Sequence, residues 1–150
     1  MTGKRLARHS ALVAALCAGT FASSAAPATA DRPTFTTIGV IHTFGDTCYG
    51  QADAGASSPR GTPGTARFGI SFVNYTPFGV PCTFTAFANW RNLDTGAVGT
   101  VAVPITSRGS AAQPPQTTFA RLPTGSGRVH IGVTTDYLHL GTPFSEIRIR

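Results

Sequence analysis

The stretch CTFTAFANW, residues 82–90, alternates in the manner of a half-buried β-strand. Cys82, Phe84 and Trp90 fall on one face together with two alanines, and Phe87 falls on the other face among threonine and asparagine. A period of two indicates a strand, because successive side chains point to opposite faces of a sheet. The stretch therefore predicts a strand that covers an apolar core, with Trp90 pointing inward.

Similar patterns recur on both sides of this stretch, and no segment shows the periodicity of an amphipathic helix. Two segments of small and polar residues, 50–65 and 106–115, are predicted to be surface loops. About seven short strands are typical of an all-β, two-layer antiparallel sandwich of the immunoglobulin-like type. A closed barrel is the alternative. The predicted strands are residues 35–42, 66–75, 82–90, 98–105, 117–122, 128–135 and 144–150.

Residues 1–30 have the three parts of a secretory signal peptide. Three basic residues open the segment, residues 11–18 are apolar and uncharged, and Ala28-Thr29-Ala30 provides a cleavage site. A membrane anchor is the alternative, but small and polar residues dilute the apolar run. Lipid attachment at Cys17 is disfavoured by the large Leu16 before it. We expect cleavage after Ala30, which leaves residues 31–150 as a single domain without stable membrane insertion.

The composition excludes several classes of protein. The chain of 150 residues is 41% hydrophobic and only 12% charged, which excludes disorder throughout. After cleavage, nine arginines and six acids remain, a formal charge of +3. These arginines are scattered, whereas nucleic-acid-binding proteins cluster their basic residues. We therefore expect no nucleic-acid partner. The abundance of alanine, glycine and arginine and the near absence of lysine indicate an actinobacterial source.

The two cysteines of the mature chain, Cys48 and Cys82, predict one disulfide bond. An exported protein meets an oxidising compartment, in which paired cysteines are normally bonded. The alternative is a pair of unrelated free thiols. A zinc site is excluded because no further ligands stand at the required spacing.

Two segments resemble a known group of proteins. WRNLDTGAVGT (residues 90–100) and SGRVHIGV (residues 126–133) are similar to small exported proteins of mycobacteria and related actinobacteria. The resemblance covers mainly residues 82–135. It implies an exported β-sandwich and carries no catalytic residues over to this chain.

The sequence contains no recognisable catalytic or cofactor motif. The nucleophile elbow G-x-S-x-G is absent. Asp46, Asp53 and Asp94 fall in predicted loops, where we expect turn-forming or solvated carboxylates. His42 and Asp46 are four residues apart on a strand and a turn, a spacing that does not place them on one face. We therefore expect no metal, no cofactor and no enzymatic activity.

A binding role in the cell envelope is the predicted function, with a small secreted enzyme or enzyme accessory as the alternative. Carbohydrate-binding sandwiches use exposed aromatic side chains, and several aromatics lie in predicted loops or at strand ends. These candidates are Tyr49, Tyr75, Phe78, Tyr137 and Phe144.

The last two predicted strands carry the candidate site. Antiparallel pairing of Val129 with Ile149, and of Ile131 with Ile147, makes their apolar faces coincide. That register places Arg128 opposite Arg150, and His130 opposite Arg148, on the outer face. We predict this face to contact an acidic cell-envelope polymer or a protein partner, and a merely solvated face is the alternative. The predicted anion-contacting residues are Arg128, His130, Arg148 and Arg150.

Overall fold

The computed structural model describes residues 34–107 and 115–150, in which the chain forms an all-β sandwich of two antiparallel sheets. The predicted fold class is confirmed, but the described residues form nine strands where seven were predicted. The strands are β1 (Thr34–Phe44), β2 (Tyr49–Ser58), β3 (Ala66–Asn74), β4 (Cys82–Asn92), β5 (Val98–Ser107), β6 (Gln116–Leu122), β7 (Gly127–Thr135), β8 (His139–Leu140) and β9 (Phe144–Ile149).

The two sheets enclose one apolar core. The five-stranded sheet has the order β6-β3-β2-β1-β8, and the four-stranded sheet has the order β5-β4-β7-β9. Phe72 of the first sheet packs edge-on against Phe84 of the second, with ring centroids 4.8 Å apart. Trp90 points inward, as predicted. It lies half-buried at the margin of the core, and its indole ring covers Gly99 of β5.

The prediction of a surface loop at residues 50–65 is wrong over most of its length. Residues 49–58 form β2, the middle strand of the five-stranded sheet, which pairs with β1 on one side and β3 on the other. Its inward positions are all small, so that large neighbours fill the core above them. The ring of Phe72, for example, occupies the space where a side chain on Gly50 would lie. The inward residues are Gly50, Ala52, Ala54, Ala56 and Ser58.

β7 and β9 pair antiparallel, as predicted, but in a register two residues away from the predicted one. Val129 lies opposite Ile147, and Ile131 lies opposite Ser145. Between these strands the chain crosses to the other sheet, where β8 pairs with β1. The predicted apolar faces are nevertheless correct, because a shift by two residues keeps every side chain on the same face.

The predicted disulfide between Cys48 and Cys82 is present, with the two Cα atoms 5.4 Å apart. Cys48 directly precedes β2 in the five-stranded sheet, and Cys82 is the first residue of β4 in the four-stranded sheet. The bond therefore links the two sheets.

Other predictions fall partly or wholly outside the described residues. The predicted signal peptide and the start of the mature chain at Asp31 lie there and stay predictions. Of the second predicted loop, residues 106 and 107 belong to β5, and residues 108–114 lie outside the described part. No helix among the described residues is long and apolar enough to cross a membrane.

Candidate functional site

The structure brings together three of the four predicted anion-contacting residues. Arg128, His130 and Arg148 lie on the outer face of the four-stranded sheet, and we call them the basic stripe. Arg128 lies directly opposite Arg148, and His130 lies opposite Glu146 where Arg148 was predicted. Arg150 was predicted to face Arg128. It instead follows β9, and its main-chain oxygen accepts the backbone N–H of Gly64 from the loop between β2 and β3.

A carboxylate already binds the basic stripe. The backbone N–H of Arg128 donates to Oδ2 of Asp94 at 2.9 Å, and its Nε–H donates to Oδ1 at 2.9 Å. The backbone hydrogen bond and then the side-chain hydrogen bond from Arg128 lower the pKa of Asp94, and the charge of Arg148 adds to the effect. The stripe thus combines Arg128 and Arg148 with the carboxylates of Asp94 and Glu146.

The turn between β4 and β5 positions Asp94. The buried side chain of Asn92 accepts the backbone N–H groups of Asp94 and Thr95 at 3.0 Å each. Its amide donates to the carbonyls of Thr124 and Ser126 at 2.9 Å each. An asparagine that binds the backbone two residues ahead is a common turn device. Asp94 therefore lies in a loop, as predicted, and the turn places its carboxylate beside Arg128.

A second surface, on the outer face of the five-stranded sheet, was not predicted. Gly55 and Gly69 lie directly opposite each other at its centre. The ring of Phe35 lies over Gly55 and the ring of Phe119 over Gly69, so that a Cβ atom on either glycine would come within 3.0 Å of a ring carbon. We call these four residues the phenylalanine groove, whose cavity measures about 370 Å³. This volume falls in the usual range of ligand sites, about 300–1,000 Å³.

Polar side chains border the phenylalanine groove along the strands. Asp53, Ser71 and Thr117 form one row across β2, β3 and β6. The hydroxyl groups of Ser71 and Thr117 are hydrogen-bonded at 2.7 Å. Asp53 was predicted to lie in a loop, but it is an exposed residue of β2. The groove therefore has a carboxylate at this end.

Arginines border the groove at its other end. Arg67 and Arg121 lie directly opposite each other on β3 and β6, and the guanidinium group of Arg67 stacks 3.9 Å from the ring centroid of Phe119. Arg60, from the β2–β3 loop, lines the same cavity of about 450 Å³. We call Arg60, Arg67 and Arg121 the arginine pocket. No carboxylate lines it among the described residues, and neither Arg67 nor Arg121 forms an ion pair there.

Two of the predicted aromatic candidates lie further along the same face. The rings of Phe44, Tyr49 and Tyr75 form a cluster with successive centroids 6.5 and 6.2 Å apart. The hydroxyl of Tyr75 donates to Oε1 of Gln51 at 2.9 Å. Tyr137 and Phe144 lie elsewhere, and the side chain of Phe78 falls outside the description. Phe35 and Phe119 were not among the predicted candidates, although the alternation of their predicted strands places both side chains outward.

The remaining titratable candidates have structural partners. Oδ1 of Asp46 accepts the backbone N–H groups of Thr83 and Thr47 at 2.9 Å each. These hydrogen bonds, above all that of Thr83, lower the pKa of Asp46. Asp46 is thus the turn-forming residue that the sequence predicts. Within the described residues, no group of three or more histidine, cysteine or acidic side chains is arranged to hold a metal ion.

Comparison with protein-family models, with curated proteins and with solved structures found no match for this chain. The resemblance of residues 82–135 to small exported mycobacterial proteins therefore stays a prediction.

Proposed function

We propose that the chain is an exported, non-enzymatic binding protein of the cell envelope whose ligand is an acidic envelope polymer. The arginine pocket carries this proposal, because Arg67 and Arg121 face each other without a carboxylate in the described lining. Like charges directly opposite each other destabilise a sheet. An anion seated between the two guanidinium groups removes that repulsion and accepts several of their N–H donors.

The lining of the pocket suits an anionic group. Thr62 and Thr65 add hydroxyl groups to the three arginines. The hydroxyl oxygen of Thr62 is buried and has no hydrogen-bond partner among the described residues. Because a water-sized group does not reach this oxygen, an anion in the pocket is bound by the guanidinium groups and by Thr65.

The basic stripe is the second candidate for the same ligand, and it is the weaker one. Asp94 already accepts two hydrogen bonds from Arg128, and Glu146 lies opposite His130. An incoming anion must compete with Asp94 and is repelled by both carboxylates. An anion that enters the arginine pocket meets no competing carboxylate in the described lining.

Export and a binding role are supported by separate observations. The pattern of residues 1–30 and the bond between Cys48 and Cys82 both suit a secreted or cell-wall protein. Catalysis requires a nucleophile or general base aimed at the ligand. The described lining of the pocket offers arginine, threonine and aromatic groups, which bind an anion better than they cleave it. A binding role is therefore favoured over that of a small secreted enzyme.

The test compares two double variants of residues 31–150 by isothermal titration calorimetry. The probes are polygalacturonate and inorganic polyphosphate at low ionic strength. R67S/R121S removes one cross-strand arginine pair, and R128S/R148S removes the other, so both variants lose the same charge. We expect R67S/R121S to weaken binding at least about tenfold and R128S/R148S to change it much less. Binding of the unchanged protein should also weaken with added salt.

Other outcomes count against the proposal in distinct ways. If R128S/R148S causes the larger loss, the basic stripe is the site and the arginine pocket is not. If both variants lose affinity equally, the binding reflects net charge alone. If the unchanged protein binds neither polymer at low salt, the acidic-polymer proposal fails.

A further inference from the structure

We infer that the acidic polymer is a polysaccharide, with one sugar ring in the phenylalanine groove and its acid group in the arginine pocket. This inference rests on the proposed function, since it names the chemistry of the same ligand. Arg67 and Phe119 line both cavities. A single ligand can therefore occupy the groove and the pocket together.

The surface of the groove suits a flat ring. Gly55 and Gly69 have no side chains, so the rings of Phe35 and Phe119 pack closely over the backbone of the sheet and lie side by side. Phe35 is 69% exposed and Phe119 is 55% exposed, so both offer wide apolar surfaces to a ligand. A sugar ring has one face rich in C–H groups, which packs against aromatic rings, and hydroxyl groups at its edge. The groove matches that division into apolar faces and a polar rim.

Charge along the groove sets the orientation of the ligand. Asp53 stands at one end, opposite Ser71 of β3, and Arg67 stands at the other end, four residues before Ser71 on the same strand. Asp53 accepts hydrogen bonds from sugar hydroxyls and repels an acid group. The acid group of the sugar is therefore directed towards Arg67 and the arginine pocket.

The aromatic cluster extends the surface along β2. Tyr49 precedes Gly55 by six residues, which corresponds to about 20 Å along a strand. Gln51 and Asp53 point outward between them, and Tyr75 is hydrogen-bonded to Gln51. Aromatic rings at both ends with polar groups between them suit an extended chain of sugars better than a single small molecule.

The test separates a sugar polymer from an acidic peptide of equal charge. Phe35→Ala removes one wall of the groove, and Phe144→Ala is the matched control, because Phe144 is 66% exposed on the opposite sheet. We expect the unchanged protein to bind polygalacturonate more tightly than polyglutamate. F35A should weaken polygalacturonate binding by roughly three- to tenfold and leave polyglutamate binding unchanged, whereas F144A should change neither.

The other possible results contradict the sugar ring in the groove, the class of ligand or the proposed function. If F35A weakens neither polymer, or both equally, the groove does not hold a sugar ring. If polyglutamate binds more tightly, the ligand is an acidic protein. In either case the proposed acidic-ligand site still stands if R67S/R121S weakens binding more than R128S/R148S. If that contrast is absent, the proposed function fails as well.

Discussion

In the part of the chain that the structure describes, two pairs of arginines lie directly opposite each other, and their surroundings differ. Arg67 and Arg121 join β3 to β6 in one sheet, and Arg128 and Arg148 join β7 to β9 in the other. Asp94 binds Arg128, whereas no carboxylate lines the arginine pocket within the described residues. The same residues in the same cross-strand geometry are therefore partly neutralised in one sheet and available to an anion in the other.

The difference originates in the loops beside each pair. The turn after β4 contains Asp94, and the buried Asn92 holds that turn against the loop between β6 and β7. The loop after β2 has the sequence PRGTPGT, residues 59–65, which adds a third arginine and no acid. Local loop chemistry, more than the number of basic residues on a face, thus decides which arginines can bind a ligand.

The largest expected effect comes from giving the arginine pocket a carboxylate of its own. Ser57 lies directly opposite Arg67, so Ser57→Asp reproduces there the role that Asp94 plays at Arg128. Because the new carboxylate pairs with Arg67 and repels anions, affinity for polygalacturonate at low salt should fall about tenfold. Calorimetry measures the change, and Ser57→Asn provides a neutral control of nearly the same size.

The stripe allows the reverse experiment as a second control. Asp94→Asn removes the carboxylate that binds Arg128 and should raise the affinity of an R67S/R121S background for polygalacturonate. An S57D protein that binds as tightly as S57N would show that the environment of Arg67 does not determine binding.

A smaller effect is expected on stability. Arg121→Thr removes the like charge opposite Arg67 and should raise the free energy of unfolding by up to about 1 kcal/mol. Arg128→Thr should lower it, because Asp94 loses the side-chain hydrogen bond and the charge of the Arg128 guanidinium group. Denaturant titrations of residues 31–150 measure both changes, and the gain from R121T should shrink with added salt. Equal changes of the same sign in the two variants would refute the contrast.

The smallest expected effect is a pH dependence confined to the stripe. Hydrogen bonds from Arg128 lower the pKa of Asp94 below its ordinary value of 3.8. A lowered pKa in the folded state stabilises the protein above the unfolded pKa, and the stabilisation is lost as the pH falls through the folded pKa. Asp94→Asn should therefore be less stable than the unchanged protein at neutral pH, and the difference should vanish in acid. Thermal unfolding at several pH values measures it, and a pH-independent difference would contradict this account.

The fold class was predictable because most strands alternate large apolar and polar residues. β2 was missed because its inward residues are glycine, alanine and serine, which resemble the composition of a loop. Its alternation is nevertheless strict, since Ala52, Ala54 and Ala56 are separated by single outward residues. The large side chains of neighbouring strands fill the volume over β2, and that compensation depends on tertiary packing.

The alternation of apolar and polar residues could not predict the register of β7 and β9. Alternation determines which face a residue occupies, but it does not distinguish registers that differ by two residues. Between β7 and β9 the chain forms β8, which pairs with Thr43 and His42 of β1. This pairing depends on the position of the other sheet. For the same reason the predicted partner of Arg128 was wrong, while its outward direction was correct.

The candidate site was predictable only in part. Outward positions for Arg67, Gly69 and Ser71 follow from the alternation of β3. They lie beside Phe35 and Phe119 only because the strand order is β6-β3-β2-β1. In this order β6 pairs with β3, from which it is distant in the sequence. A pocket built across four strands cannot be read from any one of them.

The cross-link between Cys48 and Cys82 also determines what a protease can release. Arg60 is exposed in the loop after β2, and cleavage there separates a piece that contains Cys48 from one that contains Cys82. The disulfide keeps these pieces in one covalent molecule. A chain nicked at this loop therefore keeps its full mass plus one water, and divides into two fragments only when it is reduced.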